Sequence, residues 1–397
     1  MLDQQTNELI TRVGPGSPMG ELLRRYWMPI APKSEIDEKG KRQIRLLGED
    51  LVVFKDATGR YGLVAEHCSH RGASLFYGKV EEDGIRCPYH GWKYDVNGKC
   101  LEQPAESGDS KHKENIRHPA YPVEELGGVL FGYLGPSPAP LLPRYDILVR
   151  DDWVRRIELH PVLDCNWLQP MENAVDPAHL YWLHGYTGGA RTARDERNDF
   201  EVFEYGLYKY HYDEKRIEVH PLVFPNILRG PGNVAHFRIP MDDTHTGILY
   251  VIYSPTADGK PNGQKEVPYK YIGPIKEPYD DYGFLRYQHH MKTFASQDGM
   301  AWETQGLMAD RTKEHLGSSD KGVVMLRQLF RLQLEKIKNG EDPIGIIRDP
   351  AKNDLIEFRV EEIDRKTGEA IPYRNYDERS FARPISEKRA KEASSGE

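Results

Sequence analysis

The sequence predicts an α+β protein with an N-terminal β domain and a larger C-terminal domain of antiparallel strands and helices. Short apolar runs alternate with turn signals between residues 44 and 65, as in a small β domain. A Pro-rich segment at 136–144 is typical of a linker. Beyond it, aromatic and β-branched residues predict strands, and apolar periodicity predicts two helices. The strands are expected at 201–212, 236–239 and 247–253, and the helices at 167–183 and 322–338.

This pattern divides the chain into four parts. The spacing of apolar residues at 19–28 predicts a helix that ends before Pro29. It belongs to an N-terminal segment that we expect to pack on the C-terminal domain. The four parts are an N-terminal helical segment at 1–40, the β domain at 41–140, the C-terminal domain at 141–385 and a polar, flexible tail at 386–397.

Composition excludes several classes of function. No apolar run among the 397 residues reaches the roughly 20 needed for a membrane helix, and the N-terminus lacks the pattern of a secretory signal. Four cysteines are too few for a disulfide framework. A formal net charge of −8 argues against nonspecific nucleic-acid binding, which needs a basic face. We therefore expect a cytoplasmic protein that contacts neither membrane nor nucleic acid.

Two Cys-His pairs in the β domain indicate an iron–sulfur cluster. Cys68 and His70 are separated by one residue, Cys87 and His90 by two, and sixteen residues lie between the pairs. Zinc knuckles usually supply two like ligands, whereas each pair here supplies one thiolate and one imidazole. The pattern suits two irons that share sulfides, as in a Rieske-type [2Fe-2S] cluster, with Cys68 and Cys87 on one iron and both histidines on the other. Coincidence and zinc are the alternatives. Turn-forming residues stand beside the four ligands: Gly72, Pro88 and Gly91.

A second metal site is predicted in segment 166–185, which carries Asp176, His179 and His184. The two histidines are five residues apart, so both can bind one metal only if the helix ends or distorts between them. Gly185 supplies a natural end. Two imidazoles and a carboxylate form the facial triad of mononuclear non-haem Fe(II). The alternative is a pair of buried structural histidines; the spacing is not that of a zinc protease.

The third ligand must come from another part of the chain. We expect Asp298, which stands at the start of a helix-like run among aromatic neighbours. Its alternative role is as the N-cap of that helix. The other candidate carboxylates are Asp310, Asp242 and Asp243.

Both motifs, in this order and separation, resemble the oxygenase (α) component of the Rieske non-haem iron oxygenases. The segments at 238–246 and 305–323 are similar to members without a second subunit type that act on aromatic acids, such as phthalate dioxygenases and dehydrodivanillate O-demethylases. The resemblance covers nearly the whole chain and implies a Rieske domain followed by a helix-grip catalytic domain. It also implies O2 as a substrate and electrons from a separate reductase or ferredoxin.

The resemblance assigns roles to individual residues. Cys68, His70, Cys87 and His90 would bind the cluster, and His179, His184 and Asp298 the mononuclear Fe(II). Asp176 would carry electrons from His90 of one chain to His179 of its neighbour in a homotrimer or stacked trimers. The expected reaction is monooxygenation or O-demethylation of an aromatic acid. The alternatives are cis-dihydroxylation of the ring and, remotely, an electron carrier, which would end near residue 140 and would not need the second site.

Four further residues are candidates near the substrate. Arg238 or Arg229 could hold a carboxylate in a bidentate ion pair, and the alternative for each is a surface or structural arginine. Asn173 and Asn166 lie in the segment with the iron histidines and could support the iron or the substrate. The alternative for both asparagines is that they are polar residues on the surface of a helix, without a role at the site.

Overall fold

The computed structural model of the protein describes residues 2–185, 197–230, 233–256, 258–273 and 293–371. The polar tail predicted at 386–397 and the end of the 141–385 part lie outside these residues. The helices are α1 Gln4–Thr11, α2 Pro18–Leu23, α3 Lys33–Lys39, α4 Asp146–Val149, α5 Leu168–Asn173, α6 Phe294–Glu303 and α7 Lys321–Lys338. None of the helices described is long and apolar enough to span a bilayer.

The strands fall into four sheets. They are β1 Met28–Pro32, β2 Lys41–Leu46, β3 Glu49–Lys55, β4 Tyr61–Ala65, β5 Lys79–Glu81, β6 Gly84–Arg86, β7 Lys93–Tyr94, β8 Cys100–Glu102, β9 Ala120–Tyr121, β10 Val123–Leu126, β11 Val129–Gly132, β12 Trp153–Leu159, β13 Arg197–Phe203, β14 Gly206–Tyr212, β15 Arg216–Val223, β16 Ile227–Arg229, β17 Val234–Pro240, β18 Thr246–Pro255, β19 Tyr269–Tyr271 and β20 Glu361–Asp364.

Two four-stranded sheets and a three-stranded sheet build the N-terminal β domain. The orders are β2-β3-β4-β9, β5-β6-β7-β8 and β1-β11-β10. The strands predicted between residues 44 and 65 are confirmed as β2, β3 and β4. The helix predicted at 19–28 is wrong in its second half, because α2 ends at Leu23 and Met28 begins β1. Pro29 fits there because β1 is an edge strand that pairs only with β11.

One large antiparallel sheet organises the C-terminal domain. Its order is β13-β14-β15-β16-β17-β18-β12-β19, with β20 paired to β15. The segment predicted as strand at 201–212 forms the hairpin β13–β14, and the strands predicted at 236–239 and 247–253 are confirmed as β17 and β18. On one face Phe237 packs against Phe131 of the β domain, with ring centroids 6.0 Å apart. Helices α5 and α7 meet through Trp167 and Phe330 on the other side.

The two helices predicted in this domain have different outcomes. The one at 322–338 is confirmed as α7. The one at 167–183 is interrupted, since α5 ends at Asn173 and a π-helical turn follows at Leu180–Gly185. Pro177 lies in the interruption, where its ring and missing N–H disfavour a continuous helix.

A buried ion network fastens α5 to the segments that follow it. Glu172 on α5 accepts from Arg311 at 2.8 Å and from Arg327 on α7 at 2.6 Å. Arg327 also donates to Glu314. Burial works against ionisation of Glu172, but the two guanidinium groups outweigh it and lower the pKa of this carboxyl below its usual 4.5. The network therefore depends on a negative charge at Glu172.

We expect Glu172→Gln to reduce the free energy of unfolding at pH 7 by about 3 kcal/mol, because buried Arg311 loses its counterion and Arg327 loses one of its two. A carboxyl whose pKa is depressed in the folded state stabilises above its unfolded value, here 4.5, and loses that contribution as the pH falls through the folded value. The gap between wild type and variant should therefore narrow as the pH falls below 4.5. Urea titrations at several pH values measure it.

The matched control is Glu335→Gln on the exposed side of α7, which should change stability by less than about 0.5 kcal/mol. Equal stability of wild type and Glu172→Gln at pH 7 would show that the network contributes nothing.

Candidate active site

Two loops with the same backbone hydrogen bonds carry the Cys-His pairs. In each loop the cysteine N–H donates to the carbonyl five residues on, at 2.9 Å for Cys68 and 2.8 Å for Cys87. The glycine four residues after each cysteine donates back to the cysteine carbonyl. These glycines, Gly72 and Gly91, have φ values of +76° and +75°, which L-residues with a Cβ rarely adopt. The repeated turn explains why glycine occurs at both positions.

The two loops bring four donors of the right chemistry together. The rings of His70 and His90 lie 4.6 Å apart, and the thiols of Cys68 and Cys87 are buried. Burial raises the pKa of the Cys68 thiol, and the Tyr94 hydroxyl lies 3.2 Å from its sulfur. Among the described residues, buried Nδ1 of His70 has no hydrogen-bond partner. Two buried thiols and two neighbouring imidazoles, of which His70 has a buried nitrogen without a partner among the described residues, fit a [2Fe-2S] cluster.

The second site is formed where α6 meets the π-helical turn. Oδ1 of Asp298 on α6 lies 3.3 Å from Nε2 of His184 and 3.9 Å from Nε2 of His179. One ligand atom from each of the three residues lies within 4.8 Å of the others. Oδ1 is buried, yet within the described parts of the chain it makes no hydrogen bond of acceptable geometry. Two imidazole nitrogens and a carboxylate oxygen that converge in this way fit mononuclear iron.

The other ring nitrogen of each histidine is already engaged. Nδ1 of His184 lies 2.6 Å from Oε1 of Gln297, and Nδ1 of His179 hydrogen-bonds the backbone carbonyl of Asp176. Both bonds require Nδ1 to carry the proton, which leaves each Nε2 as a lone-pair donor toward Asp298. Gln297 directly precedes Asp298 on α6, so one helix both supplies a ligand and orients another.

The charges of the three residues favour a cation between them. Burial lowers the pKa of His179, and the neighbouring His184 adds to this, while Asp298 opposes it. Burial also disfavours a charge on His184, but Asp298 outweighs it and raises its pKa. Burial works against ionisation of Asp298 as well, but His184 and His179 hold its pKa below the usual value. The carboxylate is therefore ionised and needs a positive partner.

Comparisons with known proteins identify the family of the chain. Residues 26–122 match the family model for the Rieske [2Fe-2S] domain, and residues 286–388 match that for "LigXa C-terminal domain like". The chain is 42% identical over 375 residues to the 5,5'-dehydrodivanillate O-demethylase oxygenase subunit of Sphingobium sp. (strain NBRC 103272 / SYK-6), covering 90% of this chain and 86% of the relative. It is 33% identical over 402 residues to the phthalate 4,5-dioxygenase oxygenase subunit of Pseudomonas putida, covering 87% and 89%.

The chain belongs to the Rieske non-haem iron oxygenases. It is the terminal oxygenase component, an oxidoreductase whose family uses a Rieske [2Fe-2S] cluster and mononuclear iron. Its fold agrees with the solved complex of the carbazole-bound oxygenase and ferredoxin of carbazole 1,9a-dioxygenase. That oxygenase has a TM-score of 0.58 and 20% identity, and the match covers 89% of this chain and 97% of that one.

Other carboxylates predicted as possible ligands lie elsewhere in the oxygenase. Asp242 pairs with Arg45 at 2.8 Å, and Asp243 pairs with Arg12 at 2.8 Å. Asp310 accepts from Thr312 near the surface. The alternative role of Asp298 as an N-cap is wrong, because the side chain that caps α6 is that of Thr293.

Asp176 lies at the edge of the iron site, near the protein surface. Its Oδ2 is 4.0 Å from Nδ1 of His179, and 31% of its side chain is exposed. Its Oδ1 accepts from the N–H of Ala178, which fixes the carboxylate at the end of the interrupted helix. A carboxylate next to an iron histidine is therefore accessible from outside the chain.

The two asparagines have different surroundings. Asn166 is fully buried; its amide donates to the carbonyls of Thr11 and Asp243, and its oxygen accepts from the N–H of Leu168. These bonds use the whole side chain to attach the N-terminal segment to α5, so it has no donor left for a substrate. Asn173 is the last residue of α5, and its backbone carbonyl accepts from Asp176.

The two candidate arginines lie on opposite faces of the large sheet. Arg229 pairs with Ala235 across β16–β17, and Ala235 and Arg238 are three residues apart, so Arg229 and Arg238 point to different sides. Arg229 hydrogen-bonds the Tyr253 hydroxyl and lies 3.6 Å from Oδ2 of Asp146. Arg238 is 1% exposed and lies over the ring of Trp302 on α6, at 5.5 Å. Only Arg238 is on the face that carries the iron site.

Sequence reasoning did not identify Gln297 or Tyr94 as functional residues. The position of Gln297 next to Asp298 in a helical segment is the signal that could have indicated it. Tyr94 follows the second Cys-His pair, but its contact with Cys68 of the first pair arises only when both loops fold together.

Replacing Asp298 should remove mononuclear iron from the oxygenase. We expect Asp298→Ala to lose one iron per chain and keep its acid-labile sulfide and visible cluster spectrum, since the two sites share no residue. Metal analysis together with sulfide determination measures this. Asp310→Ala, which removes a solvent-exposed carboxylate, is the control and should keep all its iron. Iron retained in Asp298→Ala but lost in Asp310→Ala would reverse the assignment.

Proposed function

We propose that this oxygenase monooxygenates the methoxy group of an aromatic acid and thereby removes the methyl group. The observation that carries the proposal is Arg238, a buried cation beside the iron site. Similarity to the O-demethylase oxygenase subunit at 42% identity supports the choice of reaction. The proposal names a substrate class with two features, a carboxylate that Arg238 binds and a methoxy group that reaches the iron.

Arg238 has the properties of an anion-binding residue. Its Nε and Nη1 are buried and have no hydrogen-bond partner among the described residues. Burial lowers its pKa, while Tyr250 and Asp298 oppose that effect. A buried, unpaired charge is costly, and Asp298 is already committed to the two histidines. A substrate carboxylate would satisfy the guanidinium with two parallel hydrogen bonds.

We assign the metal ligands as follows. Cys68, His70, Cys87 and His90 hold the [2Fe-2S] cluster, and His179, His184 and Asp298 hold the iron. When bound, the iron supplies O2 activation and the cluster supplies electrons singly. The chain's own part is to bind and orient: Gln297 and the Asp176 carbonyl keep both Nε2 atoms turned to the metal, and Arg238 fixes the acid end of the substrate.

The overall reaction balances with one O2, two electrons and two protons. One oxygen atom enters a C–H bond of the methoxy group, and the other leaves as water. The product is a hemiacetal, which breaks its C–O bond to give a phenol and formaldehyde. The protein need not catalyse that last step, because hemiacetals of phenols decompose in water.

A second reaction is favoured by a separate observation. The chain is 33% identical to the phthalate 4,5-dioxygenase oxygenase subunit. The same iron ligands and the same arginine would serve cis-dihydroxylation if the ring, rather than a methoxy group, stood at the iron. The choice between the two reactions depends on how the substrate is held.

We also propose that the oxygenase works as a homotrimer, or as stacked trimers, in the cytoplasm. Asp176 is partly exposed beside His179, and His90 lies at the tip of an exposed loop next to Tyr89. A head-to-tail arrangement would place His90 of one chain against Asp176 of the next and shorten the electron path. All four cysteines are free, which suits a reducing compartment.

Product analysis tests the reaction. The purified oxygenase, with NADH, a surrogate reductase and labelled O2, should convert methoxybenzoic acids to phenols and formaldehyde. A product with two labelled oxygens from an acid without a methoxy group would make it a ring dioxygenase. Arg238→Gln should weaken binding of the acid by about 100-fold, because a buried ion pair is lost.

The primary amide of the same substrate is the matched control, since it carries no charge for Arg238. Its binding should be poor and nearly equal in wild type and Arg238→Gln. If the amide binds wild type as well as the acid does, Arg238 does not recognise a carboxylate, and the substrate class is wrong.

Asp176→Asn should keep both metals but reduce coupled turnover by about 100-fold, because the neutral amide removes the carboxylate charge that lies 4.0 Å from Nδ1 of His179. Iron content, the visible spectrum and product per NADH measure the effect. A second measurement is a single turnover of chemically reduced enzyme. In it, oxidation of the mononuclear iron should be slower in Asp176→Asn than in wild type. Full coupled activity would remove Asp176 from the electron path.

A further inference from the structure

The two cluster histidines have different aromatic neighbours. His90 contacts Tyr89, whose ring centroid is 3.8 Å away and whose side chain is exposed. His70 is stacked on Trp92, with centroids 4.4 Å apart and planes 7° from parallel. The cluster site is therefore asymmetric: one imidazole lies beside an exposed ring, and the other lies on a buried one.

The ring of Trp92 connects His70 with a second surface of the β domain. Trp92 is 5% exposed, and its ring contacts the imidazole of His112 edge-on, with centroids 5.7 Å apart. His112 is exposed and begins a short 3-10 helix. Two ring-to-ring contacts thus connect a cluster ligand with solvent, on a path that does not pass through Tyr89 or His90.

We propose that Trp92 and His112 form the entry path for electrons, and that the donor protein docks over His112. The partner is an acidic one-electron carrier with an iron–sulfur cluster, a ferredoxin or the iron–sulfur domain of a reductase. One electron passes from the donor's reduced cluster to the oxidised cluster of the oxygenase, and no bond is formed or broken. His90 then stays available for transfer to the iron.

The ring-to-ring contacts of Trp92 support electron entry from the His112 side of the β domain. The rate of electron transfer falls steeply with distance, so a donor gains most where its cluster approaches a group in contact with a cluster ligand. Trp92 is the single ring between His70 and the exposed His112. The nearly parallel stacking of Trp92 on His70 keeps their π systems in contact.

The segment around His112 is held firmly over the second cluster loop. Nδ1 of His112 lies 3.1 Å from Oε1 of Gln103, and Lys113 donates to the carbonyl of Leu101. Pro104 packs so closely on Gly91 that a Cβ there would lie 3.0 Å from its ring. A partner that binds this segment is therefore held at a defined distance from the cluster.

The charge of this edge selects the partner. The chain has a formal net charge of −8, so a cationic edge is unusual for it. Lys111 and Lys113 flank His112, and Lys99 and Arg117 pair in a β-bridge beside the segment. All four are exposed, and the exposed carboxylates of the segment are Glu106, Asp109 and Glu114. The lysines on either side of His112 put cationic groups at the centre of this segment of mixed charge, which suits an acidic partner surface.

The experiment follows reduction of the cluster without any substrate, so it does not depend on the substrate class proposed above. A plant-type [2Fe-2S] ferredoxin that reduces the wild-type oxygenase is the donor, and stopped-flow absorbance records the rate. We expect Lys111→Glu with Lys113→Glu to slow association about tenfold at low salt, and less at high salt. His112→Ala and Trp92→Leu should slow the electron-transfer step itself, so their reduction rates should stay below wild type even at saturating ferredoxin.

Three controls separate an entry path from damage to the cluster. Dithionite, which is small and needs no docking surface, should reduce every variant at the wild-type rate, and the reduction potential and the electron paramagnetic resonance spectrum should stay unchanged in His112→Ala. Trp92→Phe keeps a ring on His70 and should retain most of the rate. Lys215→Glu changes an equally exposed lysine of the C-terminal domain and should have no effect.

Wild-type ferredoxin rates in both His112→Ala and the double lysine variant would overturn the proposal. Equal slowing with ferredoxin and dithionite would overturn it too, because the cluster itself would then be at fault. A variant at Tyr89 that slows ferredoxin while the His112 variants do not would place entry at His90 instead.

Discussion

The iron site depends on one constraint, that two histidines five residues apart face the same carboxylate. In a regular α-helix the two side chains would be rotated by about 140° from each other. The chain meets the constraint by ending α5 at Asn173 and continuing into the π-helical turn Leu180–Gly185. A π turn spaces its hydrogen bonds five residues apart, so residues at that spacing return toward one side. Asp298 then needs only to be presented by α6.

The same region shows where local sequence rules fail. Periodicity predicted one helix through 167–183, and the 19–28 segment had equally good helical spacing. In the first, Pro177 and the demands of the metal site break the helix. In the second, apolar residues that could have continued α2 form β1 instead, because pairing with β11 buries all five of its residues. The second outcome depends on a partner strand about a hundred residues away along the chain, which no local window contains. The first had a local signal, because Pro177 stands inside the predicted helix.

Chemistry was more predictable than chain path, because ligand type and spacing are properties of the sequence itself. The four proposed cluster ligands belong to two short motifs, and the turn glycines beside them have the positive φ values that the two loops require. The third iron carboxylate could only be narrowed to four aspartates. The fold distinguishes them by giving Asp242 and Asp243 their own arginines and leaving Asp298 with two imidazoles. The role of Gln297 was not predicted, because a single glutamine that hydrogen-bonds a histidine belongs to no sequence motif.

Arg238 and Arg229 show how one sheet can separate structure from recognition. Both are buried arginines on neighbouring strands of a hairpin, and nothing in the sequence around them distinguishes their roles. Register decides: a strand alternates its side chains between faces, so a shift of one residue would exchange them. The face with Arg229 packs against the β domain through Phe237 and Phe131, and Asp146 at the start of α4 lies 3.6 Å from the Arg229 guanidinium. The other face lies under α6, where the nearest carboxylate, Asp298, is held by two histidines. Among the described residues, Nε and Nη1 of Arg238 have no hydrogen-bond partner, and this is the reason for proposing that a substrate carboxylate binds there.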